Sequence, residues 1–128
     1  MKFFNALMLL AFLLSAGVQY NDADPFLWVA IYVLGSAACI QHWKRHPSWK
    51  LPSFVAALGV LWMGFLVPTL QNSEFPIIWD QVFLRADMKT EAVELTREIG
   101  GLAILVVWMI ALAIRAYRFE HRSRFKAK

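Results

Sequence analysis

Four apolar runs alternate with polar knots along the chain. Residues 3–18, 26–40, 51–70 and 99–114 contain no Asp, Glu, Lys or Arg. Between the first two lies Gln19-Tyr20-Asn21-Asp22-Ala23-Asp24-Pro25. Asp24 suits a helix N-cap, its carboxylate accepting from the first free N–H groups, and Pro25 suits the first helical position, where no N–H is needed. The second helix then carries Gly35-Ser36-Ala37-Ala38-Cys39, small residues that let a neighbouring helix approach closely. A basic stretch flanked by tryptophans, His42-Trp43-Lys44-Arg45-His46-Pro47-Ser48-Trp49-Lys50, reads as a short loop at a membrane surface. Pro52 and Pro68 fall near the ends of the third run, where helices tolerate them best.

The longest connection, 71–88, contains 75–84, a piece too short to cross a bilayer that mixes bulky apolar residues with Asp80 and Gln81. It reads as a surface-lying or partly re-entrant segment. Asp87 or Thr90 caps the last helix, which starts polar and turns apolar from Ile99. The pattern thus predicts an all-α membrane protein, a four-helix transmembrane bundle with a short interfacial segment between helices three and four. The helices are expected at about 3–20, 25–42, 51–70 and 90–118, within a single integral membrane domain over 1–128. Residues 3–18 also fit a secretory signal peptide, with Ser15 and Gly17 at −3 and −1, but the run is long for one and further spans follow. A retained helix is the expectation. Trp28, Trp43, Trp49, Trp79, Tyr20 and Tyr117 fall where an aromatic belt would lie, and Trp62 and Trp108 fall mid-span as packing residues.

Composition agrees. Of 128 residues, 59% are hydrophobic, above the 45–50% or so of a globular domain, and mean hydropathy is +0.50. The net charge of +4 reads as topology information rather than as a nucleic-acid footprint. Lone Cys39 excludes an internal disulfide framework. The 42–50 loop and the C-terminal tail are rich in Lys and Arg, and the turn at 21–24 has neither. The positive-inside rule therefore puts both termini in the cytoplasm, for a multi-pass protein of the plasma membrane or bacterial inner membrane.

The polar knot at 19–25 and a second one, Glu91 to Glu98 at the start of the last helix, then share the outer side. A spanning helix needs about 20 residues, and 99–114 is shorter, so Glu98 is drawn to the edge of the hydrocarbon, where a carboxylate must face protein and be paired. Glu91, Glu94 and Glu98 share one helical stripe. The expected cluster comprises Gln19, Asn21, Asp22, Asp24, Glu94, Arg97 and Glu98, with Glu98 bonded to Asn21 or Gln19 and Arg97 set against Asp22. Gly100-Gly101 lets helix four bend or press on a neighbour at this level. At the other end, Arg115, Arg118, Arg122, Arg124, Lys126 and Lys128 are expected to contact anionic lipid headgroups.

Two of these stretches carry a resemblance. Q-Y-N-D-A-D-P-F-L-W-V-A-I-Y, residues 19–32, and E-L-T-R-E-I-G-G-L, residues 94–102, resemble the signature of the transmembrane protein 220 family. The family pattern has proline where this chain has Ala23. With the order of four short spans, the resemblance covers most of the chain. It implies a four-helix membrane protein and brings no established activity.

The remaining chemistry is sparse. His42 and His46 stand at metal-ligand spacing, but Pro47 ends the helix and no Cys or acid adjoins them, so they read as interfacial histidines. A calcium loop of D-x-D-x-D-G type is missing. No nucleophile elbow, zinc-protease motif or phosphate loop is present. No metal site or cofactor is expected, and a haem would want histidines within the spans. Asp22 and Glu98 could form an acid–base pair, but no nucleophile accompanies them. The sequence thus points to a non-enzymatic membrane protein. Its outer polar cluster locks the bundle and binds a membrane protein partner, a second copy or a small ligand. The alternative is a proton or cation carrier using Glu98 and its neighbouring carboxylates; against it, the ionisable groups stay at one end of the spans.

Overall fold

In the computed structural model, residues 1–19, 25–44, 47–71 and 91–126 are described, the side chains of 70, 91–94 and 124–126 excepted. The described residues form four helices and no strand: α1 (Lys2–Val18), α2 (Pro25–Gln41), α3 (Lys50–Gln71) and α4 (Glu91–Lys126). The segment at 75–84, the turn at 20–24, His46 and the cap at Asp87 or Thr90 lie outside the described residues.

Helix packing follows from where small side chains fall. Asn5 lies beside Cys39 and Phe12 beside Tyr32 and Gly35, so α1 and α2 run antiparallel. Trp28 meets Trp62. Gly59 faces Val106 and Leu105, and Trp49 meets Tyr117 edge-on with centroids 6.1 Å apart, so α3 and α4 are antiparallel as well. Gly35 lies against Leu105 and Gly101 against Tyr32, which makes α2 and α4 parallel. The broadest interfaces are α3 with α4 and α1 with α2, and α2 joins the two pairs by touching both α3 and α4. In this up-down-up-down order the first turns of α2 and α4 lie at the same end of the bundle as the last turns of α1 and α3. Lys44 and Lys50 lie at the opposite end with Lys2 and Arg115.

The interior is apolar and well filled. Phe12, Trp28, Ile31, Tyr32, Val55, Leu102, Leu105, Met109 and Leu112 make one core, with Cys39 sealed inside it. The outside is apolar too. Phe3, Leu7, Leu10 and Leu14 on α1, Phe26 and Val33 on α2, Leu61 and Phe65 on α3, and Ile104 and Val107 on α4 are all exposed. Such a continuous apolar exterior is incompatible with water and matches hydrocarbon. Two helices are long and apolar enough to span: Lys50–Thr69, with mean hydropathy 1.8, and Leu95–Ser123, with 2.3. α1 and α2, of 17 residues each, are shorter, about 26 Å at 1.5 Å per residue. α4 continues to Lys126, past the expected stop near 118, so its basic residues are carried on helix beyond the apolar run that ends at Ile114.

Three local details depart from simple helix rules. Pro68 lies inside α3 and cannot donate to the carbonyl one turn back; beside it, Thr69 Oγ1 donates to the Phe65 carbonyl at 3.2 Å. Ser36 Oγ donates to the Tyr32 carbonyl at 2.9 Å, which hides its hydroxyl within α2. At the end of α2, His42, Trp43 and Lys44 donate to the carbonyls of Ala38, Ile40 and Gln41. The Cys39 carbonyl between them accepts from Asn5 Nδ2 of α1 at 2.8 Å. A helix C-terminus leaves its last carbonyls unpartnered, and here a neighbouring helix supplies the donor.

Candidate functional site

The polar end is built on α2 and α4. Tyr32 lies two turns into α2, with its ring packed on Phe12 and Trp28 at centroid distances of 6.3 and 6.4 Å. Trp28 in turn packs on Trp62 of α3 at 5.1 Å. Trp28 is 4% exposed. That corrects the belt assignment from sequence: a position near the bundle end faces inward because α2 is sandwiched between three helices. Trp62 is a packing residue, as its mid-span position implied.

This aromatic stack aims the Tyr32 hydroxyl at α4. A Cβ at Gly101 would meet Tyr32 Oη, so only glycine leaves room for the phenol there. Gly100 has open space around its Cα. Of the glycine pair, Gly101 does the pressing. One turn before it, Glu98 is half-buried and within electrostatic reach of the Tyr32 phenol. Both Glu98 and Arg97 engage partners. A buried phenol commonly finds an acceptor, and a carboxylate at the hydrocarbon edge needs a donor.

The other expected members fall as follows. Gln19 is half-buried at the C-cap of α1, its backbone N–H donating to the Ser15 carbonyl. Helix direction puts it at the same end as Arg97 and Glu98. Asn21, Asp22 and Asp24 lie outside the described residues, as does Lys128, and Glu94 is described only as a position on α4. Arg115, Arg118 and Arg122 are exposed on the far end of α4, where Arg124 and Lys126 continue the helix. Among the described residues no group of three or more His, Cys, Asp or Glu side chains could hold a metal ion.

Sequence reasoning missed Tyr32 and Trp28 as site residues. The signal was available in part: a tyrosine inside a span carries a polar tip that must find a partner, and a glycine pair one turn beyond Glu98 marks a close approach. What sequence lacks is the register between α2 and α4.

The sequence profile of the family described as Transmembrane family 220, helix, matches residues 11–114. No curated protein and no solved structure matches the chain significantly.

Proposed function

The chain belongs to transmembrane family 220, and from that premise we propose a non-enzymatic, multi-pass integral membrane protein whose polar end serves as a binding surface for a partner protein, a second copy or a small ligand. The parallel course of α2 and α4 is the observation that carries this reading. It puts the last turn of α1 and the first turn of α4 at one end, with the buried Tyr32–Gly101 contact beneath them. Glu98 beside that contact locks α4 to α2, and the proposed surface takes in Gln19, Asn21, Asp22, Asp24, Glu94 and Arg97 as well. The basic residues gathered at the opposite end face the cytoplasm under the positive-inside rule, and both termini lie there. Arg115, Arg118, Arg122, Arg124, Lys126 and Lys128 rest against anionic headgroups.

The test has two arms. In a Cys39→Ala background, cysteines placed at Asp22 and at Glu98 should react with an impermeant maleimide from the same, outer face. Reaction from opposite faces refutes the shared surface. In detergent, Asp22→Ala and Glu98→Ala should each destabilise, with the double mutant losing less than the sum. Strict additivity means that the two knots do not touch.

A further inference from the structure

At the basic end, a cavity of about 350 Å³ opens between the start of α1, the α2–α3 loop and α4. Lys2, His42, Lys44 and Arg115 line it, with Trp43 and Phe119 as apolar walls. Its cationic lining faces no acid among the described lining residues, and the nearby Glu120 already engages a partner. Like charges converging on one hollow without a counter-ion repel one another, and an anion relieves that repulsion. His42 feels the excess: burial, and then the charge of Arg115, hold its imidazole below the ordinary histidine range.

A second observation specifies more than charge. Asn5, 1% exposed, also lines the cavity. Its Nδ2 is committed to the Cys39 carbonyl, which fixes the amide's orientation and leaves Oδ1 buried without a donor. Such an oxygen calls for an incoming O–H or N–H. A third observation gives the ligand a body. An adjoining hollow of about 510 Å³ shares Met1, Arg115 and Phe119 with the first; Arg118 and Arg122 line its polar side, and Ala111 and Ile114 line the side toward the apolar run of α4.

We propose that this cavity binds the headgroup of an anionic phospholipid, its phosphate held by Lys2, Lys44 and Arg115, a headgroup hydroxyl donating to Asn5 Oδ1, and an acyl chain lying along Ala111 and Ile114. The phosphate is the shared chemistry with free phosphate esters. The apolar floor at the bilayer edge favours the lipid. This assignment rests on the reading that the basic end lies at a membrane surface, and the maleimide labelling above tests that reading by itself.

The experiment uses the full chain in neutral detergent, with thiol-dye labelling of buried Cys39 reporting unfolding on a heating ramp. Phosphatidylglycerol should raise the transition in a saturable manner, and phosphatidylcholine should not. Lys44→Gln/Arg115→Gln should bind phosphatidylglycerol roughly 25-fold more weakly, at about fivefold per cation. Arg124→Gln/Lys126→Gln removes the same charge from α4 outside the cavity lining; these residues meet headgroups only at a bilayer surface, so in detergent the change should stay below about threefold. Phosphatidylmethanol, which keeps the charge and lacks headgroup hydroxyls, should bind about fivefold more weakly than phosphatidylglycerol to the wild type. That difference should vanish in Asn5→Ala, which has no side-chain acceptor. Equal losses from the two double variants would reduce the effect to general attraction and overturn the site. Equal stabilisation by inorganic phosphate would overturn the lipid assignment. If labelling places the basic end correctly and phosphatidylglycerol still fails to stabilise, the inference fails and the topology stands.

Discussion

Gly59 gives the sharpest test of the packing between α3 and α4. A Cβ built there would stand 2.5 Å from Val106 Cγ2 and 3.6 Å from Leu105 Cδ2. Ordinary carbon–carbon contact is about 3.5–4.0 Å, so the helices must part or Val106 must turn by about 1–1.5 Å. Val106 is buried and β-branched, with essentially one rotamer open to it in a helix. Overpacking of this kind costs about 1–3 kcal/mol. Against that, alanine is favoured over glycine in a helix interior by about 1 kcal/mol. Gly59→Ala should therefore destabilise by roughly 0–2 kcal/mol. The same change at Gly64 or Gly100, where nothing lies within 4 Å, should gain up to about 1 kcal/mol. The separation between the sites, roughly 1–3 kcal/mol or several degrees in transition temperature, is the quantity to measure. Cys39 is fully buried and the sole cysteine, so its labelling by a thiol dye during heating follows unfolding without added probes. Transitions for Gly59→Ala and Gly64→Ala that rise together would refute this α3–α4 register.

Asn5→Ala removes the donor to the Cys39 carbonyl and should cost about 1–3 kcal/mol by the same heating assay; an unchanged transition would mean that water satisfies that carbonyl equally well. For His42 the sign runs one way. Its folded pKa lies below the ordinary 6.5 because burial, then Arg115, disfavours the cation. The unfolded chain therefore binds more protons in the window just below 6.5, and stability falls as pH drops through it. The slope should flatten in His42→Gln, and an equal slope in that variant would assign the effect to other groups.

The number and type of elements were legible because each helix carries an uncharged run, and Pro25 opens α2 where the cap signal stood. The end of α4 was less so. The alternation of Arg, Glu and His after Ile114 reads equally as a solvated helix or as a tail, and only the structure shows the helix carried on to Lys126. Of the polar end, Arg97 and Glu98 could be named from the deficit in span length. Tyr32, Trp28 and Asn5 could not be placed, since their roles depend on which turn of α2 faces which turn of α1 or α4. Apolar periodicity does not encode that register in spans that are apolar on every side. The α2 run shows this: Trp28 turns inward at 4% exposure while Phe26, two residues earlier, is 88% exposed.

Unequal helix heights carry a consequence for the surrounding lipid. Under the four-span reading, the α1–α2 flank presents about 26 Å of apolar wall to a hydrocarbon layer near 30 Å, while α3, of 22 residues, presents about 33 Å. Acyl chains must compress beside the first pair and stand at full length beside the second. The protein therefore sits in a lopsided collar of lipid. Thinner membranes relieve the strain on one flank, and thicker ones deepen the dimple around it.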